Sequence, residues 1–255
     1  MSKINENRLS MQCPSFKEKM AESDQSKGVT PPAFGKPVVG EVIVLPSFEG
    51  ITSATYAELL DTRRSVRSYS NKPMTLAELA FMLWSVNGIQ RIRNDVATFR
   101  PVPSGGARHP FETYITVQNV EGLTPGLYHY LPAENIGEKT VAIQRLGDIP
   151  EYEKTVTEMV AGQAWAAKAP AVFFYTCIPY KAEWRYHELA HRVVLIDLGH
   201  LGQNAMLSAA ALGLGSCCMA AYDQKACDGV IGVDGLEEYT VYGIAVGTPA
   251  EEKQR

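Results

Sequence analysis

The sequence has no apolar run approaching the roughly 18 residues of a membrane-spanning helix. Its opening stretch, MSKINENRLSMQCPSFKEK, has no apolar core of the kind a signal peptide carries. A cytoplasmic location without a membrane partner is therefore expected. Positive charge is not in excess either. Against 28 Asp and Glu there are 24 Lys and Arg, a net charge of −4, which gives no reason to expect nucleic acid as a partner. The five cysteines (Cys13, Cys177, Cys217, Cys218 and Cys227) include no C-x-x-C, so neither a zinc ribbon nor a thioredoxin-like couple is expected. Free, mostly buried thiols in a reducing compartment are the plain reading. The dinucleotide-binding G-x-G-x-x-G pattern and internal repeats are absent as well.

What is present suffices for a large core: 255 residues, 45% of them hydrophobic. Residues 1–45 are polar and then proline-rich, which reads as a flexible extension followed by an extended segment laid against a surface. Residues 46–255 form the folded domain. Thr55 to Glu58 and Thr75 to Glu78 are capping boxes, the second opening a helix whose Leu76, Leu79, Ala80, Leu83 and Trp84 share one face up to Gly88. Strands are expected at 111–117 (FETYITV), at GLYHYL, at VAIQRL, at 171–178 (AVFFYTCI) and at 239–247 (YTVYGIAVG). Helices are expected over about 149–163 and, as the longest, about 183–212. Helices and strands alternate without a βαβ rhythm, which favours an α+β layer architecture.

One short motif suggests metal chemistry. His187-Glu188-Leu189-Ala190-His191 is H-E-x-x-H, which on a helix places two imidazoles one turn apart for zinc. A catalytic zinc needs a third protein ligand. The glycine and histidine that would extend the motif are replaced by Val194 and Asp197, and no glutamate follows Glu188 until Glu237. No metal is expected, and a zinc hydrolase is the weakest of the functional readings.

Three other stretches form a stronger set. RRSVRSY (63–69) places Arg63, Arg64 and Arg67 at the end of a helix, where a spacing of three to four brings Arg63 and Arg67 to one side. The ordinary alternative is a solvated basic helix end. PSGGARHP (103–110) is a turn whose two glycines allow the backbone to approach a flat ligand, or simply a turn. LGLGSCCMAAYD (212–223) is a helix cap followed by small residues, which makes either tight packing or a low wall for a planar ring.

In order and spacing these stretches, with GLYHYLP, DLGHLGQNAMLSAAALGLGSC and VYGIAVGTPAEE, resemble the flavin-dependent nitroreductase family over residues 40–255. The P-S-G-G-A-R-H-P-F-E form and the G-H-x-x-Q-N helix are most similar to the branch of the SagB-type, azoline-oxidising dehydrogenases. The resemblance implies a mainly antiparallel sheet flanked by helices, a homodimer, and two FMN sites at its interface. Arg63, Arg64, Ser65 and Arg67 would grip the FMN phosphate and the nearby flavin edge, where guanidinium meets phosphate with charge-assisted, often bidentate hydrogen bonds. Pro103, Ser104, Gly105 and Ala107 would line the ring from the partner subunit, with alanine where many members carry asparagine. Cys218, Met219 and Ala220 would face the flavin, and Arg255, with Lys253, would reach the phosphate.

The resemblance further implies hydride transfer from NAD(P)H through flavin N5 to a nitroaromatic, a quinone or a similar small acceptor. The alternatives are oxidation of a peptide azoline and flavin sequestration without turnover. The azoline oxidases carry a catalytic Lys-Tyr pair at the start of the long helix, which falls here on Arg185 and Tyr186. Lysine can be tuned toward a neutral pKa and act as a base, whereas arginine stays protonated. Reduction of an acceptor is therefore expected over azoline oxidation.

Overall fold

The computed structural model describes residues 2–12, 15–94, 96–134 and 136–251. The chain begins with helices α1 (Lys3–Ser10) and α2 (Phe16–Ala21) and the strand β1 (Val42–Leu45). Helices α3 (Tyr56–Thr62) and α4 (Leu76–Asn87) follow, then a hairpin of β2 (Arg91–Arg93) and β3 (Ala97–Phe99). Strands β4 (Phe111–Val117), β5 (Gly126–Leu131) and β6 (Val141–Gly147) run as a meander into α5 (Tyr152–Met159). Next come β7 (Ala171–Cys177), α6 (Tyr180–Tyr186), α7 (Ala190–Ala211), β8 (Gly215–Met219), α8 (Gln224–Ile231) and β9 (Tyr239–Gly247).

Seven strands form one sheet in the order β1-β6-β5-β4-β7-β9-β8, and every adjacent pair is antiparallel. This is the expected α+β architecture. Both faces are covered. Phe173, Tyr175, Ile244 and Val246 point into a core closed by α4 and α7, and Val172, Phe174 and Ala245 into a second core closed by α5 and α8. Burial on both faces explains why all seven residues of β4 are buried although the sequence alternates in polarity. Its Glu112 is compensated inside the protein, accepting from Lys181 at 2.6 Å and lying 3.1 Å from His129.

Both capping boxes form, with Thr55 N and Thr75 N each donating to the glutamate three residues on at 2.7 Å. The proline-rich segment lies against the sheet as expected. Lys36 Nζ reaches Glu238 at 2.6 Å and the Tyr114 hydroxyl at 2.8 Å, and residues 42–45 add the edge strand beside β6. The extension before it holds two short helices.

Two local expectations are corrected. The helix at Tyr56 stops at Thr62, because Arg63 is already extended (φ −56°, ψ 122°) and Ser65 bridges Ser216 of β8 in parallel. The long helix is also not continuous. It breaks at His187 (φ 48°, ψ −131°), a left-handed backbone that costs a non-glycine residue energy, and a 3-10 turn over 187–189 joins α6 to α7. Among the described residues no helix is long and apolar enough to cross a membrane.

Candidate functional site

The arginine stretch is an extended strand-like segment pinned to the edge strand β8. Val66 N donates to Ser216 O at 2.9 Å, Ser70 N to Thr248 O at 2.9 Å and Ala250 N to Ser68 O at 3.0 Å. The backbone here is extended, so the helical spacing expected of Arg63 and Arg67 does not apply. Val66, between Ser65 and Arg67, packs against Gly215 of β8. Ser65 and Arg67 lie beside Cys217 and Arg63 beside Cys218, and Arg67 Cζ stands 5.8 Å over the Trp165 ring. Burial pushes the Cys217 thiol up and the Cys218 thiol up to about 11, so both stay protonated near neutrality and offer a neutral wall, not a nucleophile. Met219 is buried beside them and Ala220 is exposed.

Close contact at this edge depends on Gly215. A Cβ there would stand 2.6–2.7 Å from the Val66 side chain, so any larger residue would push the arginine segment off β8. Thr62, Arg63, Arg64 and Val66 face Met206, Ala210 and the 213–216 turn across a cleft of about 350 Å³. None of Arg63, Arg64 or Arg67 forms an ion pair with a carboxylate among the described residues. Arg63 and Arg64 line the cleft and Arg67 lies outside it, so the cleft offers two guanidiniums able to meet an anionic oxygen.

The P-S-G-G turn forms a second cluster. Ser104 Oγ donates to Asp197 Oδ2 at 2.6 Å, and Gly105 N to both Asp197 oxygens at 3.0 and 3.1 Å. Asp197 is buried on α7, and that burial, working against the hydrogen bonds from Ser104 and Gly105, raises its pKa. Gly106 is left-handed (φ 57°), and a Cβ on it would collide with Arg185 Cδ and Nε and stand 3.0 Å from the Tyr186 hydroxyl. Pro103 is exposed ahead of the turn and Ala107 closes it. The turn thus sits directly on α6, with Gly105 against Tyr186 and Gly106 against both Arg185 and Tyr186.

The two clusters occupy different lengths of α7. Asp197 holds the turn, while Met206 and Ala210 line the arginine cleft, roughly 14–20 Å further along at 1.5 Å per residue. The two clusters therefore lie apart within one chain. Arg255 and Lys253 lie outside the described residues.

The H-E-x-x-H stretch does not present its histidines together, because the helix breaks between α6 and α7. His191 contacts Ser10 O at 2.7 Å and Glu188 O at 2.9 Å. His187, Glu188 and Glu22 do offer atoms within 4.8 Å of one another, but Glu188 already ion-pairs with Lys19 at 2.7 Å. Asp197 escaped the sequence reading, although a lone acid on an otherwise apolar helix face is a visible signal. Gln25, whose Oε1 accepts from Arg185 Nη1 at 2.6 Å, left no signal, since only the tertiary fold brings the extension to α6.

Comparison with known proteins gives the chain a family. Residues 60–248 match the family model described as the nitroreductase family. The protein MJ1384 of Methanocaldococcus jannaschii, named for the nitroreductases, is 31% identical over 210 residues, covering 82% of this chain and 97% of its own. The trifolitoxin-processing protein TfxB of Rhizobium leguminosarum is 35% identical over 45% of this chain and 30% of its own length. The microcin B17-processing protein McbC of Escherichia coli is 29% identical over 48% of this chain and 44% of its own. The fold matches a Ralstonia eutropha structure named for the nitroreductases with a TM-score of 0.65 at 21% identity, covering 87% of this chain and 98% of that one. It also matches a chain of the E. coli microcin synthetase McbBCD complex with a TM-score of 0.58 at 19% identity, covering 97% and 92%. The chain belongs to the nitroreductase family.

Proposed function

We propose that the protein is an FMN-dependent oxidoreductase that takes a hydride from NAD(P)H and delivers it to a small electrophilic acceptor such as a quinone or nitroaromatic. The observation that carries this reading is the arginine edge: Arg63 and Arg64 line a cleft against Met206, Ala210 and the 213–216 turn, Arg67 lies beside the neutral Cys217 thiol, and none of the three pairs with a carboxylate among the described residues. Arg63, Arg64, Ser65 and Arg67 would hold the phosphate, and Cys218, Met219 and Ala220 would line the ring. Bound there, FMN would supply two-electron exchange between a nicotinamide and the acceptor. The protein's own part is positional. Asp197 fixes the 103–107 turn, and Tyr186 and Arg185 stand behind its glycines as hydrogen-bond donors toward a substrate.

The separation of the two half-sites along α7 supports a homodimer in which each turn completes the partner's arginine site. Leu195 and Ile196 on α7 and Tyr56 and Leu60 on α3 are at least half exposed, an apolar surface suited to such an interface. A second reading, azoline oxidation, draws on the likeness to McbC and TfxB. Arg185 weighs against it, because a guanidinium cannot take up a proton at neutral pH.

Titration of flavin-free protein with FMN tests the first reading. Arg67→Ala is expected to weaken binding by about 1.5–3 kcal/mol, the worth of a charged hydrogen bond, without unfolding the protein. An unchanged dissociation constant would remove Arg67 from the phosphate site. Oxidation of an azoline peptide faster than reduction of a quinone would reverse the choice between the two readings.

A further inference from the structure

Two guanidiniums straddle Gly106 on the substrate side of the turn. Arg108 Nε donates to Gly106 O at 3.1 Å, and Arg185 packs against the Gly106 Cα so tightly that no Cβ fits between them. Aromatic rings back both groups, with Arg108 Cζ 4.9 Å over the Trp184 ring and Arg185 Cζ 5.6 Å from that of Tyr186. Neither has a carboxylate partner among the described residues. Their remaining contacts are to neutral oxygens: Val96 O for Arg108, and Gln25 Oε1 for Arg185 at 2.6 Å. Arg185 Nε is buried and has no hydrogen-bond partner among the described residues.

Two like charges held close together and partly removed from water repel each other, and both pay desolvation. Packing alone would be better served by leucine or glutamine. In keeping with this, burial and then the charge of Arg185 lower the Arg108 pKa. The cheapest relief for such a pair is an external anion whose oxygens accept from both forks. The Gln25 amide oxygen already occupies one such acceptor position without supplying charge. Its residue sits on the N-terminal extension, held by Gln25 N to Trp184 O at 2.8 Å and Trp184 Nε1 to Val29 O at 2.8 Å. A side chain tethered in this way can be displaced without moving the backbone.

We propose that Arg108 and Arg185 form an oxyanion-recognition pair, so that the substrate docking beside Gly105–Gly106 carries a carboxylate or phosphate group that displaces the Gln25 side chain. This rests on the reading of the 103–107 turn as a substrate-facing element. The oxyanion has two sources, an acidic acceptor or the 2′-phosphate of a nicotinamide dinucleotide.

Calorimetric binding to the full-length protein separates them with two probe pairs: benzoate against benzamide, and adenosine 2′-monophosphate against adenosine. In at least one pair the anion is expected to bind ten-fold or more tightly than its neutral counterpart. Arg108→Gln and Arg185→Gln should each bring that ratio close to one, while Arg108→Lys and Arg185→Lys retain part of it. The pair that responds identifies the source. If neither anion is preferred, or if the preference survives both glutamine variants, the proposal is overturned. Flavin content is measured on the same samples. Protein that binds FMN but shows no arginine-dependent preference overturns this inference alone. Protein that binds no FMN yet shows the preference supports it and counts against the flavin reading.

Discussion

His109 shows how a single buried group sets acid sensitivity. It lies at the end of the P-S-G-G stretch, 6% exposed, with Nε2 3.0 Å from Thr98 O. Burial, with Arg100 nearby, depresses its pKa to about 3 from an ordinary 6.5. Above pH 6.5 it is neutral in both the folded and unfolded chains and has no effect. As pH falls below 6.5 the unfolded chain binds a proton that the folded one refuses, so stability is lost progressively until about pH 3. Urea midpoints measured from pH 7 down to pH 4 should fall steeply in the wild type and less steeply in His109→Gln. Asp197 gives a second test at this scale. Asp197→Ala leaves the Ser104 hydroxyl and Gly105 N–H without their acceptor and should cost about 1–3 kcal/mol. The loss should appear in the urea midpoint and, because the turn is released, also in flavin affinity. A drop in affinity without any drop in stability would mean that Asp197 faces the ligand instead of holding the turn.

The joint between α6 and α7 is the least comfortable element junction in the chain. His187 takes φ 48° and ψ −131°, and its Nδ1 is buried without a hydrogen-bond partner among the described residues. Strain of this kind costs on the order of 1–3 kcal/mol in a non-glycine residue. His187→Gly should therefore stabilise the protein by about 1 kcal/mol in urea unfolding, part of the gain being lost to the greater freedom of glycine when unfolded. Zinc bound at one per chain and lost on this substitution would instead show that the H-E-x-x-H stretch holds metal. The other decisive junction is the arginine segment on β8. Gly215→Ala should push Val66 away and weaken FMN binding at least as much as Arg67→Ala, although position 215 contributes no charge. Equal affinity in wild type and Gly215→Ala would show that the edge tolerates a methyl group and that the close approach is not needed.

For the whole molecule, the two half-sites on α7 lead to an assembly prediction. Sedimentation should show a dimer that loses flavin when it dissociates, and a flavin-loaded monomer at working concentration would contradict the shared site. Introducing charge on the exposed apolar face, as in Leu195→Glu with Ile196→Lys, should shift the protein toward monomer and lower flavin content in parallel. The proposal that Arg108 and Arg185 await an oxyanion also belongs to this scale, since the extension that supplies Gln25 is far from α6 in the sequence.

The sequence by itself determined the features that depend on neighbouring residues. The capping boxes at Thr55 and Thr75 form as read, because a helix start is made by a side chain and a backbone N–H three residues apart. The strands at Phe111, Gly126, Val141, Ala171 and Tyr239 follow from runs of β-branched and aromatic residues bounded by turn formers. The arginines and the P-S-G-G turn stand out in the sequence, but what each packs against does not. Tertiary structure decided what such local signals cannot encode. Strand β8 exists because it pairs with β9, and the arginine segment is extended because it bonds Ser216 of β8 and the residues that follow β9, all distant in sequence. The break at His187 overrides a continuous helical pattern, because packing of α6 and α7 outweighs the local backbone cost. Asp197 and Gln25 acquired roles only when folding placed them against the turn and against Arg185. Pairings between residues distant in the chain are set by which surfaces can be buried together, and no short window of sequence contains that information.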